Sequence, residues 1–434
     1  MKHNLIERIL VGILLVIAAG VVVHAPLTVW LGTIWPHDTQ YIKAWKEVLM
    51  GVVLVLLIIV AVRRKRFGEL LHDRLVQLSL VYAGLHFALV GLYDTELGQA
   101  GAGLLIDLRY VLYFVLVYGT LRLLPQYRQL FVKVFAAGAV VVLGFSLLQQ
   151  FVLPRDILMH IGYSKDTIAP YLLVDENPTY VRINSTLRGP NPLGAYAVIV
   201  LAILAAAAIR NKLKQRDWWL LGAAALAAGL TLGASYSRSS LIGAVVALLV
   251  AVVLAASTKV RKQLGWGLAA ASVVVVGGLF ALRGSTFVDN VVLHDNPTTG
   301  ASVDSNSGHA SSLIDGMKLV VGKPLGGGVG STGSASLNSN APLIIENQYL
   351  FVAHEIGWIG LALFVWLSVE VMRRLWQHRR DTLALGVFAA GCGLAVIGLM
   401  LPVWVDDTVS IIWWGLAAVA ITGNRGGIHA RKSH

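Results

Sequence analysis

The chain contains 434 residues, of which 56% are hydrophobic and only 13% are charged, and its mean hydropathy is +0.71. Soluble domains carry about 25% charged residues, so this composition nearly excludes a soluble enzyme, whose surface would be covered by apolar patches. Long apolar runs also exclude a disordered, coiled-coil or collagen-like chain. The single cysteine, Cys392, lies in an apolar run and cannot form a disulfide framework or a thiolate metal site.

A helix needs about 20 mostly apolar residues to cross a bilayer, and about twelve runs meet this requirement. In chain order they cover residues 9–29, 47–62, 75–93, 104–121, 130–153, 192–209, 218–235, 239–256, 264–282, 347–372, 383–401 and 404–422. The first run is too long for a signal peptide and no cleavage pattern follows it. The sequence therefore predicts an all-α, polytopic integral membrane protein with about 12 transmembrane helices.

Lysine and arginine concentrate in every second connection between these runs. The basic connections contain residues 63–66, 122–133, 210–216, 259–262, 373–380 and 425–432. Cytoplasmic loops are rich in Lys and Arg because positive charge resists translocation. We therefore place these loops and both termini in the cytoplasm. The net charge of +12 is then a topology signal, and no nucleic-acid partner is expected.

Two long connections lie on the opposite, outer side, at about 154–190 and 283–346. Long connections on one face of a rigid bundle are commonly functional. The sequence therefore divides into helices 1–9 (residues 1–282), a large extracytoplasmic loop (residues 283–346), and helices 10–12 with a cytoplasmic tail (residues 347–434).

The large loop contains two patterned segments. Residues 309–321 place Leu313, Met317, Val320 and Val321 at helical spacing, which predicts a short amphipathic helix on the membrane face. The following G-K-P-L-G-G-G-V-G-S-T-G segment lacks the residue order of a phosphate-binding loop. It is either a flexible turn that lets backbone approach a ligand or a plain linker.

Arg182 and Arg188 end the first outer loop, directly before a predicted helix. Proline suits the first turn of a helix, and Asn191 or Ser185 is expected to cap the helix that begins near Pro190. The amide groups at this helix start and the planar guanidinium forks favour an anion such as phosphate. Alternatively, both arginines extend to lipid headgroups.

Further outer-side charges sit where spanning helices begin or end. Lys46 opens the second helix, Arg109 lies near the start of the fourth, and Arg238 lies in the short S-Y-S-R-S-S turn between the seventh and eighth. Charges at such places are unfavourable and therefore predict a role. Glu346 lies where the chain re-enters the bilayer, and partial desolvation makes it a candidate base. Alternatively, Glu346 complements the helix dipole.

The histidines are weaker candidates. His294, His309 and His354 show no metal-ligand spacing, and no Ser-His-Asp order is readable. No metal and no cofactor are therefore expected.

Three motifs, taken in their order and on the same side of the membrane, resemble the O-antigen ligase and polysaccharide polymerase superfamily. They are R-x-x-S-T-L-x-G-P-N-P-L-G-A-Y from Arg182, S-R-S-S-L at 237–241, and P-L-G-G-G-V-G-S (324–331) followed by E-N-Q-Y-L (346–350) and H-E-I-G-W-I-G (354–360). The resemblance is firm at the level of motif from about 180 to 360.

The resemblance implies a GT-C-like, inverting, metal-independent glycosyltransferase at the outer face of the inner membrane. Its donor would be a glycan on a polyprenyl (undecaprenyl) pyrophosphate, and membrane lipids would surround it. The acceptor would be a lipid A–core sugar for a ligase, or another lipid-linked repeat unit for a polymerase. Family ligases often carry a histidine at the position that Glu346 occupies here, so the acceptor stays open.

These expectations assign roles to named residues. Glu346, Arg238 and Arg182 are expected to be catalytic, with the arginines on the pyrophosphate and Glu346 on the acceptor hydroxyl. Pyrophosphate or glycan contacts are expected from Arg188, Asn191, Lys46, Arg109, His309 and Tyr349. The alternatives are a transporter or flippase of a lipid-linked or anionic solute, a protein O-oligosaccharyltransferase, and an inactive assembly protein.

Overall fold

A computed structural model describes residues 5–93, 95–211, 213–257, 305–337 and 342–423, together with single residues between 259 and 288. The chain is a helical bundle. The helices are α1 (Leu5–Val21), α2 (His24–Ile34), α3 (Thr39–Lys43), α4 (Trp45–Arg63), α5 (Phe67–Leu71), α6 (Arg74–Leu92), α7 (Leu97–Leu123), α8 (Arg128–Phe151), α9 (Pro190–Arg210), α10 (Gln215–Ala234), α11 (Arg238–Ala255), α12 (Ser305–Gly322), α13 (Gly333–Ser336), α14 (Gln348–Gln377), α15 (Thr382–Ile397) and α16 (Asp407–Ile421).

Short elements complete the bundle. Within the described residues, 3₁₀ turns cover Pro36–Asp38, Pro125–Tyr127, Ile157–Ile161 and Val403–Val405. The strands described are β1 (Leu172–Val174) and β2 (Asn177–Arg182), which pair antiparallel in the first outer loop. The hairpin places Arg182 at the end of β2, opposite Leu172.

Eight helices among the described residues are long and apolar enough to cross a membrane. They are α4, α6, α7, α8 with the 3₁₀ turn before it, α9, α10, α11 and α14. α15 and α16 are apolar but shorter, and the predicted run 264–282 lies outside the described residues. The all-α, multi-pass class is therefore confirmed, while the number of about 12 spans stays a prediction.

The first predicted span, 9–29, is two helices rather than one. α1 and α2 meet at an angle of 85°, and together they pass the test for a broken span. The break lies within the run Val21 to Val23, whose β-branched residues are poor helix formers, and it precedes Pro26, which suits the first turn of a new helix. The ring of Trp45 packs against Gly20 beside the break.

The amphipathic helix expected at 309–321 forms as part of α12, which packs against α14. Gly316 faces Ile345 and Leu350 at the start of α14, and Val320 is buried. Leu313, Met317 and Val321 are exposed on the remaining surface of the helix.

Arginine side chains bind carboxylates at the end of the bundle opposite the hairpin. Arg64 pairs with Glu7 at 2.7 Å, and Arg122 pairs with Glu69 at 2.7 Å and with Asp73 at 3.4 Å. Hydrogen bonds from Arg66 and Arg122 lower the pKa of Glu69 to about 2. The basic connections 63–66 and 122–133 thus meet at one end of the bundle, and the placement of the basic loops in the cytoplasm stays a prediction.

Glycines let the central helices approach closely. α15 packs against α9 and α11. A Cβ at Gly243 of α11 would lie 2.6 Å from Ile397, and one at Gly393 of α15 would collide with the Gly243 carbonyl oxygen. A Cβ at Gly386 would lie 2.6 Å from the Ile203 backbone of α9. Small residues at helix interfaces are how membrane helices gain packing contacts.

Gly393→Ala should therefore separate α15 from α11 and destabilise the protein by about 1–3 kcal/mol, as overpacking does. Gly229→Ala on α10 is the matched control, because nothing lies within 4 Å of the added methyl group. Thermal unfolding in detergent should show a lower melting temperature for the first variant only. Equal melting temperatures would contradict the packing described.

Candidate active site

Arg182 lies near the turn that carries Arg238, at the hairpin end of the bundle, which we call the site end. The Arg182 guanidinium donates from Nη2 to Asn191 Oδ1 (2.6 Å) and from Nε to the Ser235 carbonyl (3.0 Å). Burial, and then the charge of Arg238, lower the pKa of Arg182 to about 10. Arg182 thus stays protonated at neutral pH, and two like charges share this site.

The turn before α11 fixes Arg238 at the first helical position. Ser237 caps the helix, with its Oγ accepting from the Ser240 amide (3.4 Å). Tyr236 adopts a left-handed conformation (φ 47°), which closes the turn within three residues. Its pKa is raised by burial and by Tyr180. The short turn predicted from the sequence is therefore present.

The first and second motifs pack directly against each other. A Cβ at Gly194 of α9 would lie 2.7 Å from Ser240 and 2.8 Å from the Ser235 hydroxyl. Ser240 Oγ also donates to the Asn191 carbonyl (3.5 Å). Glycine at 194 therefore permits the contact that brings Arg182 and Arg238 together.

The cap expected for α9 is wrong. The helix begins at Pro190 after Gly189, and no side chain caps it. Asn191 instead lies in the first turn and orients Arg182. Ser185 is buried, and its hydroxyl donates to the Val142 carbonyl (2.7 Å) while its amide donates to Gln149 (2.8 Å). Tertiary partners outcompete the local cap for both side chains.

Glu346 lies directly before α14, half-buried. Asn347 caps the helix through the amides of Tyr349 and Leu350, and its Nδ2 donates to the Leu399 carbonyl (2.8 Å). Gln348 accepts from the Trp404 amide (2.9 Å).

The end of α15 contacts both the start of α14 and the helix α11, so the start of α14 lies at the site end. Ile397, two residues before Leu399, contacts Gly243, which is five residues after Arg238 on α11. At 1.5 Å of rise per residue, Arg238 lies about 8 Å further along α11 than this contact. Glu346 and Arg238 thus share one end of the same packed helices.

The glycine-rich segment binds a break in α14. Gly357 has φ 72° and ψ −176°, so the helix is interrupted there. The amides of Gly327 and Gly328 donate to the His354 and Glu355 carbonyls, and the Trp358 amide donates to the Pro324 carbonyl (3.0 Å). These bonds satisfy the backbone groups that the break releases.

The same segment is held by α6 and α7. Tyr93 donates to the Gly326 carbonyl (3.0 Å), and Gln99 donates to the Gly330 carbonyl (2.9 Å). A Cβ at Gly103 of α7 would lie 2.5 Å from the Gly330 amide nitrogen. The glycines of this segment let its backbone approach the protein's own helices closely, and an approach to a ligand stays a prediction.

Lys46 and Arg109 belong to a buried charge network. Lys46 is 2% exposed, and its Nζ lies 3.1 Å from Asp407 Oδ2, 3.4 Å from Glu47 Oε1 and 3.2 Å from His24 Nε2. Arg109 is buried, donates to the Val405 carbonyl and lies 4.0 Å from Glu47. Both cations are therefore engaged by protein partners.

The tautomer of a neutral His24 ring follows from its hydrogen-bond partner Trp45. Trp45 Nε1 lies 3.0 Å from His24 Nδ1, and an indole nitrogen can only donate. His24 Nδ1 must therefore accept, so the neutral ring carries its proton on Nε2. That nitrogen faces Asp407 Oδ2 at 2.9 Å.

Sequence reasoning missed Asp407, His24 and Asp406. Their partners are distant along the chain, and only the two adjacent carboxylates at the start of an apolar run signal a role. Asp406 caps α16 through the Val409 amide (2.9 Å). The positive charges of Arg188 and Arg109 both favour its ionised carboxylate.

The remaining predicted residues occupy separate surroundings. Arg188 is exposed. Tyr349 is half-buried and donates to the Ala395 carbonyl (2.9 Å). The His309 side chain, Arg283 and His294 lie outside the described residues. Within the described part of the chain, no group of three or more His, Cys, Asp or Glu could hold a metal ion.

Removing Asp407 should be strongly destabilising. Asp407→Ala leaves the Lys46 ammonium buried beside fewer counter-charges, and breaking a buried ion pair in this way costs about 3–5 kcal/mol. Asp38→Ala, at an exposed carboxylate, is the control. Melting temperatures in detergent should fall for the first variant alone, and an unchanged value would show that the network does not stabilise the fold.

Part of the chain matches a known protein family. Residues 222–365, about a third of the chain, match the family described as O-Antigen ligase. The matched segment contains Arg238, the glycine-rich segment, Glu346 and the break at Gly357. A search of curated proteins found no match. Residues 222–365 are thus similar to the O-antigen ligase family, and the chain's likeness to the O-antigen ligase and polymerase superfamily is confirmed.

Proposed function

We propose that this protein is a membrane glycosyltransferase that moves a glycan from a polyprenyl pyrophosphate carrier to an acceptor hydroxyl. The family match supports a ligase or polymerase kind of function. The observation that carries the proposal is that two positive charges, Arg182 and Arg238, lie near each other at the same end of the bundle as Glu346.

Two adjacent guanidinium groups suit a diphosphate. The two positive charges repel each other, and an anion bound between them would be attracted to both. The planar fork of arginine matches phosphate oxygens. Because Asn191 and the Ser235 carbonyl already hold Arg182, little side-chain ordering is needed when the ligand binds.

The reaction needs a base but no acid. The acceptor hydroxyl attacks the anomeric carbon from the face opposite the pyrophosphate, and its proton passes to the Glu346 carboxylate. The bond from the anomeric carbon to the phosphate oxygen breaks, and the pyrophosphate leaves with its charge. Arg182 and Arg238 stabilise that growing charge in the transition state, and the product has inverted configuration.

The other predicted contacts divide into two groups. Lys46 and Arg109 are engaged by buried carboxylates, and we now assign them to holding α4, α7 and α16 together rather than to the ligand. Arg188, Tyr349 and His309 stay proposed contacts for the donor or glycan. We place the site at the outer face of the inner membrane, with membrane lipids around the bundle.

A carrier for a lipid-linked solute is the second candidate, because broken helices are typical of transporters. The described residues contain two such breaks, between α1 and α2 and at Gly357. Proteoliposomes loaded with a lipid-linked glycan distinguish the two functions. Movement across the bilayer without a covalent product would support the carrier, and a new glycosidic bond would support the transferase.

Arg182→Ala and Arg238→Ala should each lower kcat by about 10²–10³-fold, the effect of losing one donor to a transition-state anion. Glu346→Gln should lower kcat by about 10²–10⁴-fold, because the amide cannot accept the proton. The measurement is transfer from lipid-linked glycans extracted from the native cells' membranes by the purified protein. Arg155→Ala, in the same outer loop, is the control. Normal turnover in all three variants would refute the roles assigned here.

Anion binding should also depend on pH. Because the pKa of Arg182 is about 10, the protein should bind inorganic pyrophosphate well below that pH and lose affinity above it. Arg238→Gln removes the neighbouring charge, so the midpoint should move to higher pH while the affinity below it falls. Isothermal titration from about pH 8 to about pH 11 tests this, and a midpoint that does not move would contradict the pairing of the two arginines.

A further inference from the structure

Thr332 links the broken helix α14 to the segment that carries Glu346. Its amide donates to Glu355 Oε1 (3.2 Å), and its hydroxyl donates to the Leu343 carbonyl (3.0 Å), three residues before Glu346. Thr332 and Glu355 are each 1% exposed. One buried residue therefore bonds through its backbone to the bundle and through its side chain to the approach to Glu346.

The Leu343 carbonyl is the point at which this segment is held. Besides Thr332, it accepts from the Gly333 amide (2.8 Å) and from Ser336 Oγ (2.9 Å). The Leu343 amide in turn donates to Ser336 Oγ (3.1 Å). Ser336 shares its single O–H proton between the Gly333 and Leu343 carbonyls, so Thr332 and the Gly333 amide are the two full donors to this carbonyl. These bonds hold the backbone of residue 343 in place.

The other side of the link is anchored in the bundle. Glu355 lies on α14 directly before the break, and its carbonyl accepts from the Gly328 amide (3.1 Å). Gly333 has φ 67°, and a Cβ there would lie 2.7 Å from the Phe351 ring of α14. Glycine at 333 thus allows the chain to turn against α14 immediately after Thr332.

The geometry points to Thr332 as a positioning residue for Glu346, which rests on the proposed function. Thr332 holds the Leu343 carbonyl relative to Glu355, and so sets where the Glu346 carboxylate meets the acceptor hydroxyl. It touches neither donor nor acceptor. Loss of its hydroxyl should therefore slow the chemical step and leave donor binding, which depends on the arginines, unchanged.

Thr332→Val tests this with little change in shape, because it replaces only the hydroxyl by a methyl group. We expect kcat to fall by about tenfold with an unchanged KM for the lipid-linked donor, since small misplacements of a reacting group have effects of this size or larger. Thr332→Ser keeps the hydroxyl and should restore kcat to within about twofold of the wild type. The assay is the transfer reaction described above.

Thr120→Val is the matched control, because Thr120 is a fully buried threonine on α7 whose hydroxyl has no partner among the described residues. It should leave kcat unchanged. A fall in kcat in the serine variant equal to that in the valine variant would overturn the proposal. So would a wild-type kcat in Thr332→Val, or a melting temperature that falls in step with kcat.

Hydrogen exchange separates this inference from the proposed function. Thr332→Val should speed amide exchange in the peptide covering 342–347 and leave the α9 peptides unchanged. If the wild-type protein transfers no glycan, the proposed function fails, and the exchange result alone then decides whether Thr332 orders this segment. Unchanged exchange in 342–347 would overturn the positioning role in either case.

Discussion

The break in α14 at Gly357 is the constraint on which the site depends. A helix can be interrupted inside a bilayer only if the released backbone groups find partners in the protein. Here the glycine-rich segment supplies them, through Gly327, Gly328 and Pro324. Side chains on that segment would keep the two backbones apart, as the Cβ contacts of 2.8 Å at Gly326 and 2.6 Å at Gly357 indicate. The cluster of glycines is thus explained by packing against the protein itself.

The contact between the glycine-rich segment and α14 also positions the chain that leads from this segment to Glu346. The segment leaves the break, turns at Gly333 beside Phe351, and returns through Leu343 to Glu346 at the head of the same helix. The glycine-rich segment therefore contacts α14 at the break, and the chain that follows it leads to Glu346 at the start of the same helix. The arginines reach the site independently, through the tight contact of Gly194 with the turn at Ser235. The proposed base and the proposed anion site thus lie on different helices, an arrangement that would suit the proposed transfer between two substrates.

The buried network around Lys46 has a different purpose. It joins the break between α1 and α2 to α4 and α16 through Asp407, and Arg109 extends it to α7. Buried charges are tolerated only with close partners, and here each cation has them. Polar residues inside a membrane protein are therefore not all ligand contacts. Lys46 is 2% exposed and lies between carboxylates, whereas Arg188 is exposed and accessible to a ligand.

The sequence by itself determined the helical class, most spanning segments, the alternation of basic loops and the motifs around Arg182, Arg238 and Glu346. These follow from local composition, because the bilayer imposes length and hydropathy on every span. Only the tertiary structure decided which charges pair with one another, that Asn191 orients Arg182 instead of capping α9, and that the 9–29 run bends by 85°. Those outcomes depend on partners distant in sequence, such as Asp407 for Lys46. A local sequence pattern cannot predict contacts that form only when distant helices pack together.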